Sequence, residues 1–292
     1  MSKRNILVTG ANGQLGRCIQ DFSKRLPEDK CRFFFTDIDT LDICDAGQVE
    51  RKVVSDGIDV IINAAAYTAV DKAEDNIAEA YRLNRDAVDN LAKCARRHGA
   101  YLVHISTDYV FAGDECRPHR EEDPIAPRSV YGKSKAAGEQ AIRDSGCNAT
   151  VIRTSWLYSE YGHNFVKTML KLGEERDRVS VVYDQVGGPT YAGDLAAAIW
   201  GVIEKNSGEN GMQIYHFANK GSISWFDFAQ AIMEIGGRNC IVDAILSENY
   251  PAKAPRPACS VFDLSKIESE IGIDIPYWID SLQLTVNKLE KI

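Results

Sequence analysis

The run Asn5-Ile-Leu-Val-Thr9-Gly10-Ala-Asn12-Gly13-Gln14-Leu15-Gly16 decides how this chain folds. Its first five residues are mostly apolar and β-prone, as in a strand buried on both faces. Three glycines follow at a spacing of three, and a helical pattern then runs through Ile19 and Phe22. Strand, glycine turn and helix form the context in which a glycine motif signals dinucleotide binding. Gly10 permits the tight turn, Gly13 lets a pyrophosphate approach the backbone, and Gly16 lets the helix pack against the strand. The helix N-terminus turns unpaired N–H groups toward the phosphates, with Asn12, Gln14 and Leu15 in the same cradle. The spacing is G-x-x-G-x-x-G rather than the G-x-G-x-x-G of many dehydrogenases. A second strand, Arg32–Thr36, ends at Asp37, 21 residues after Gly16. That is the spacing of the acid that hydrogen-bonds an adenosine ribose, and a carboxylate there repels a 2′-phosphate, so the lean is to NADH over NADPH. Asp39 and Asp42 compete for the same role.

Further strand-like runs at Val60–Asn63, Leu102–Ser106 and Thr150–Thr154 alternate with helical stretches. This alternation predicts an α/β fold, a doubly wound parallel Rossmann-type sheet with helices on both faces. Apolar residues at Ile77, Ala80, Leu83, Ala87, Leu91 and Ala95 predict one helix from Ile77 to His98, capped by Gly99. Beyond Tyr158 the pattern loosens. Helices are expected over 164–173, 193–204, 225–236 and 281–291, and strands over 179–183 and 214–219, the latter closing the main sheet. Pro251, Pro255 and Pro257 mark a loop. The expected organisation is a dinucleotide-binding domain over residues 1–156 and 188–219, with a smaller, discontinuous α/β substrate-binding lobe over 157–187 and 220–292.

With 292 residues and 45% hydrophobic content the chain can bury a substantial core. A net charge of −8 argues against a nucleic-acid binder, which carries a basic footprint. An anionic small molecule remains compatible, because placed arginines and helix N-termini make local positive sites. The eight cysteines (18, 31, 44, 94, 116, 147, 240 and 259) form no C-x-x-C pair and read as reduced cytoplasmic thiols. The basic start Met1-Ser-Lys-Arg4 precedes an apolar run too short for a signal peptide, and no run is long enough to span a membrane.

The chemistry points to Tyr131-Gly-Lys-Ser-Lys135. At i and i+4 of a helix, Tyr131 and Lys135 share a face, and an ammonium beside a phenol is expected to lower the tyrosine pKa and tune it as a proton donor. Thr107, carried to the carboxyl edge of the sheet by the Leu102–Ser106 strand, would hydrogen-bond a substrate carbonyl and orient Tyr131. Its bland alternative is a turn hydroxyl bonding its own backbone. Lys133 reads as a surface lysine and His104 as a core histidine. Asn84 reads equally as a water-ordering amide or a satisfied core amide.

The glycine loop, Ser106-Thr-Asp-Tyr-Val-Phe111 and the Tyr131/Lys135 pair together resemble the extended short-chain dehydrogenases/reductases. The chain is most similar, nearly end to end, to their dTDP-4-dehydrorhamnose reductase branch. The markers are Gly10–Gly16, Leu41–Asp45, Asn63–Tyr67, Ser106–Phe111, Tyr131–Lys135, Arg153–Trp156, Asp184-Gln185 with Gly188-Pro-Thr190, and Arg256-Pro257 with Ser260. The resemblance implies a catalytic triad of Thr107, Tyr131 and Lys135, with Lys135 also holding the nicotinamide ribose. It implies adenine-side contacts from Asp42 and Ile43, and a nicotinamide wall of Ala64, Ala65, Ala66 and Tyr67. It places Val70, Thr107, Asp108 and Trp156 at the sugar and Arg256 at the diphosphate, with Asp184 and Gln185 shaping the pocket or closing a turn. The implied reaction is reduction of the C4 ketone of dTDP-4-dehydro-L-rhamnose by NADH or NADPH, in a monomer or homodimer, with another nucleotide-sugar 4-ketoreductase as an alternative. Some relatives hold Mg²⁺ with a glutamate where this chain has Cys18, so that metal site is not expected. A 4,6-dehydratase reading lacks its general base, since Tyr109 follows Asp108. A regulatory relative, the cofactor-binding subunit of methionine adenosyltransferase, is the non-catalytic alternative.

Overall fold

The structure, a computed structural model, describes residues 3–27, 29–115, 117–205 and 211–290. Six strands build the main sheet: β1 (Arg4–Thr9), β2 (Cys31–Phe35), β3 (Val60–Asn63), β4 (Tyr101–Thr107), β5 (Ala149–Thr154) and β6 (Met212–Phe217). Their spatial order is β6-β5-β4-β3-β1-β2, and every neighbouring pair is parallel. Parallel strands need covered faces. One face is packed by α1 (Gln14–Ser23), through Leu15 and Ile19, with helices from later in the chain. The other face is packed by α2 (Ala46–Asp56), through Val49 and Val53. The doubly wound reading therefore holds, and the strand expected over 214–219 is the edge strand β6.

The helix expected from Ile77 to His98 is interrupted. After the short α3 (Val70–Ala73) come α4 (Ile77–Tyr81), a π-helical turn at Arg82–Asp86, and α5 (Ala87–His98), which ends on Gly99 at φ +68°. The interruption has a packing cause. α6 (Val130–Ser145) presses Gly138 onto the Asn84 carbonyl so closely that a Cβ there would sit 2.2 Å from the oxygen. The wider turn also swings the Asn84 side chain inward, and π-turns of this kind concentrate at functional sites.

Beyond β5, α7 (Phe165–Glu175) begins at Asn164, whose side chain caps the Lys167 N–H at 3.1 Å. α8 (Ala192–Lys205) returns to the main sheet beside α1. α9 (Trp225–Ile235) starts on a capping box of Ser224 and Asp227. α10 (Ser265–Ile271) and α11 (Trp278–Leu289) close the chain. α7, α9 and α11 share a separate core containing Tyr158, Phe228, Ile232 and Leu282. Against it lies a parallel pair, Arg178–Val182 with Ile241–Ile245. The second strand of that pair, α2 and α10 were not anticipated. Ile241–Ile245 is a five-residue segment with an acid at its centre, too short and mixed to display a period. Among the described residues no helix is long and apolar enough to cross a membrane. The seven described cysteines are free, and Cys116 lies outside the described residues.

Candidate active site

The glycine turn leaves no room for side chains. Gly10 takes φ +65°, and a Cβ on it would lie 2.7 Å from the Ala65 nitrogen. A Cβ on Gly16 would lie 2.4 Å from the Gly10 oxygen. The Gly13 N–H closes the turn onto the Gly10 carbonyl at 3.1 Å, and the first turn of α1 that follows carries no side-chain cap. An uncapped helix N-terminus behind a glycine turn has the geometry that suits an anionic group. Asp37 sits at its side and accepts from the N–H of Asn12 at 2.9 Å and of Ile38 at 2.8 Å. Asp42 turns its carboxylate to the Cys44 N–H at 2.9 Å, and Ile43 is buried. Gln14 sends its side chain the other way, accepting from Asn164 at 2.9 Å and Ser159 at 3.2 Å.

The loop after β3 carries Ala64, Ala65, Ala66 and Tyr67. Asn63 holds it through the Ala65 N–H at 3.2 Å. Asn84 accepts from the Tyr67 N–H at 2.8 Å and donates to the Tyr67 carbonyl and to Ser134 Oγ, both at 3.0 Å. Ser134 in turn donates to the Tyr131 carbonyl at 2.8 Å. Asn84 is thus a satisfied core amide that ties the Tyr67 loop to the helix of Tyr131.

α6 is placed by Ser129, which caps the Gly132 N–H at 3.1 Å, and by Glu74, which takes the Val130 N–H at 2.8 Å. Tyr131 therefore stands in the first turn of α6, opposite Thr107 at the end of β4. Thr107 donates to Asp108 Oδ1 at 2.9 Å and is hydrogen-bonded to the Tyr131 phenol. The Tyr109 ring meets Tyr131 edge-on at 5.4 Å. Lys135 is 2% exposed, and its Nζ donates to the Ile105 carbonyl at 2.5 Å and lies 3.4 Å from His104 Nε2.

The expected lowering of the Tyr131 pKa is not what the structure gives. Burial pushes the phenol well above its ordinary value, the Thr107 hydrogen bond opposes this, and the charges of Asp108 and Tyr109 add to it. Lys135 does not lower the pKa of the resting phenol, because its Nζ is turned to Ile105 and His104. Burial instead pushes Lys135 down to about 8, against the pull of Glu139. Asp108 is pushed up to about 6 by burial, and its Oδ2 has no hydrogen-bond partner among the described residues. Such departures from ordinary values gather where chemistry is done.

Trp156 adopts φ +47°, a left-handed backbone for a bulky side chain, and such strain marks functional positions. Its indole stacks on Trp225 at 3.7 Å, and Gly187 makes room for it, since a Cβ there would lie 2.8 Å from the ring. Trp225 escaped the sequence reading. Its signal was an aromatic in the first turn behind the Ser224-x-x-Asp227 box. Arg256 pairs with Asp71 at 2.8 Å and reaches the Tyr109 hydroxyl, while its Nε is buried without a partner among the described residues. Asp71 also takes the Ala254 N–H at 3.0 Å, which fastens the proline-marked loop to α3 beside Val70. Asp184 and Gln185 do not close a local turn; they tie their segment to the distant Ser247, whose hydroxyl donates to Asp184 at 2.6 Å and accepts from Gln185 at 2.9 Å.

Cys18 lies buried between α1 and α8, its thiol pushed up to about 12 by burial. A protonated thiol does not suit a hard cation, so these residues do not fit the Mg²⁺ of some relatives.

The family model described as the RmlD substrate binding domain matches residues 4–291. The chain belongs to that family. A dTDP-4-dehydrorhamnose reductase of Aggregatibacter actinomycetemcomitans is 43% identical over 288 residues, covering 95% of this chain and 97% of the relative. The spore coat polysaccharide biosynthesis protein SpsK of Bacillus subtilis is 41% identical over 278 residues, 95% of each chain. A dTDP-4-dehydrorhamnose reductase of Bacillus anthracis, solved in complex with NADP, superposes with a TM-score of 0.92 at 39% identity, covering 98% of this chain and 99% of its own. The RmlD family membership accounts for the eight sequence blocks found in order.

Proposed function

We propose that this protein reduces the C4 ketone of dTDP-4-dehydro-L-rhamnose to dTDP-L-rhamnose. The observation that carries the reading is the Thr107–Tyr131 contact at the carboxyl edge of β4, with Lys135 one turn along α6. Ligands of open α/β sheets bind beyond that edge. The cradle of Gly10, Gly13 and Gly16 fits a dinucleotide, with Asn12, Gln14 and Leu15 around the phosphates, Asp37, Asp42 and Ile43 toward the adenosine, and Ala64–Tyr67 toward the nicotinamide. The reduced cofactor, when bound, supplies the hydride.

Thr107 positions the substrate carbonyl and the phenol together. Tyr131 holds its proton firmly at rest and gives it to the C4 oxygen as charge develops there. An alkoxide is more basic than a phenolate even of raised pKa, so the transfer runs downhill. Lys135 orients the nicotinamide ribose and restores the proton to Tyr131. Trp156 walls the sugar beside Val70 and Asp108. Arg256, already beside Tyr109, is the cation for the diphosphate. Asp37 keeps a negative charge at the glycine turn, which leans the choice toward NADH. The sugar side belongs to the lobe of residues 157–187 and 220–292, the dinucleotide side to residues 1–156 and 188–219. The free thiols suit the reducing cytoplasm.

The test is NADH and NADPH oxidation with dTDP-4-dehydro-L-rhamnose, with Tyr131→Phe in parallel. Turnover by the wild-type protein, and its loss of at least about a hundredfold in the variant with dinucleotide binding kept, is expected. Wild-type-like turnover by Tyr131→Phe would overturn the role of the phenol.

A further inference from the structure

Behind Lys135 lies a row of buried polar side chains that the reaction above does not use. The strand register sets Thr9 of β1 beside Asn63 of β3, and Asn63 beside His104 of β4. All three are 2% exposed or less. Thr9 Oγ1 donates to Asn63 Oδ1 at 2.7 Å, and the Ala65 N–H reaches the same oxygen at 3.2 Å. A backbone N–H only donates, so the Asn63 oxygen faces that side and its NH₂ faces His104 Nδ1, 3.1 Å away. An amide N–H also only donates. Nδ1 is therefore the acceptor, and the proton of the neutral ring sits on Nε2. Nε2 lies 3.4 Å from Lys135 Nζ.

This order has a consequence for the lysine. With Lys135 as an ammonium, two donors face each other. With Lys135 as an amine, its lone pair accepts from Nε2–H. His104 cannot relieve the conflict by moving its proton to Nδ1 without setting that proton against the Asn63 NH₂. Nor does it become a cation, because burial and the Lys135 charge hold it well below its ordinary value. Of the other ionisable groups, Glu139 on α6 acts on the Lys135 charge and is itself bound by Arg153 of β5 at 2.7 Å, while Asp108 after β4 acts on Tyr131 one turn before the lysine. Glu139 favours the ammonium, whereas burial and the His104 tautomer oppose it.

We propose that His104, locked in its Nε2–H tautomer by Asn63, is a positioning residue that keeps Lys135 poised between ammonium and amine. The inference rests on the reading of Lys135 as part of the reductase site. It gives that residue the ability both to return a proton to the Tyr131 phenolate and to take one up again near neutral pH.

Two measurements on the intact protein test it. In wild type labelled with ¹⁵N-histidine, the His104 ring shifts, assigned by their loss in His104→Gln, are expected to report Nε2–H. The Nδ1–H form overturns the proposal, whatever the variants do. In protein labelled with ¹³C-lysine, the Lys135 Cε signal, assigned by its loss in Lys135→Met, is then followed against pH. In His104→Gln, whose amide oxygen is free to face Nζ, the midpoint is expected to rise by about one unit, a tenfold change in the ammonium-to-amine ratio. The basic limb of kcat should move with it. An unmoved midpoint in folded His104→Gln and His104→Leu overturns the proposal. Both magnetic-resonance readings are independent of turnover, so failure of the reductase reading, seen as no NAD(P)H oxidation by wild type, is distinguishable from failure of this one.

Discussion

Replacing Lys135 by methionine should abolish turnover and yet make the folded protein more stable. The lysine is 2% exposed, and its pKa falls from 10.5 to about 8 through burial. A difference of about 2.5 units, at about 1.4 kcal/mol each, means that the native state carries roughly 3 kcal/mol of cost at pH 7 for holding the ammonium. Methionine fills a similar volume without charge. It leaves the Ile105 carbonyl without its donor, a loss of about 1–2 kcal/mol. The net gain is about 1–2 kcal/mol, or a Tm rise of roughly 2–5 °C for a chain of this size. The pH dependence follows from the direction of the shift. Below about pH 8 both states hold the proton and the full cost applies. Between about 8 and 10.5 the unfolded chain keeps its proton while the native lysine has lost it, so the cost shrinks as pH rises. Urea unfolding of wild type and Lys135→Met at neutral pH and near pH 9.5 measures this, with the advantage of the variant falling by about 2 kcal/mol. A variant less stable than wild type at pH 7, or a difference that ignores pH, refutes the reasoning.

Other perturbations separate the parts of the site. Asp108→Asn removes a carboxyl pushed up to about 6. The native wild type keeps a proton that its unfolded chain releases above about pH 4, so wild type loses roughly 3 kcal/mol of stability between about pH 4 and 6, and thermal melts of the variant should lack that fall. Gly187→Ala drives a methyl into the Trp156 ring and the Ser260 hydroxyl. It should raise KM for the sugar nucleotide while leaving dinucleotide affinity, read by fluorescence titration, within about twofold, at a stability cost of about 1–3 kcal/mol. Glu139→Gln leaves Arg153, 3% exposed, as an uncompensated buried charge, and urea unfolding should register a loss of about 3–5 kcal/mol.

The sequence disclosed what is local and periodic. β1 and its glycine turn, β3, and the i,i+4 pair of Tyr131 and Lys135 are patterns within a dozen residues, and the structure builds them as the patterns imply. The fate of Tyr131 was not legible in the same way. Its pKa depends on whether Lys135 turns toward the phenol or toward Ile105 and His104, and that choice is made by groups from another strand. The π-turn at Arg82–Asp86 is hidden for a similar reason, since its cause is Gly138, more than fifty residues away in α6. Trp225 and Trp156 meet only because the chain after β5 folds back on itself, so neither residue announces the stack.

The last strand to join the sheet has a bearing on how the protein is made. β5 pairs on one side with β4, its near neighbour in the chain, and on the other only with β6, whose first residue comes 58 positions after the end of β5. During synthesis the ribosome therefore releases a nucleotide-binding half whose β5 edge is open until Phe217 has emerged. An open parallel edge rich in branched residues, such as Thr150, Val151 and Ile152, is a template for pairing with another nascent chain. α8, which precedes β6 in the chain, packs on the sheet in the folded protein through Leu195 and Ile199. The order of elements along the chain thus sets a window of vulnerability that ends only when the edge strand docks, and slowing translation just past Lys205 should lengthen it.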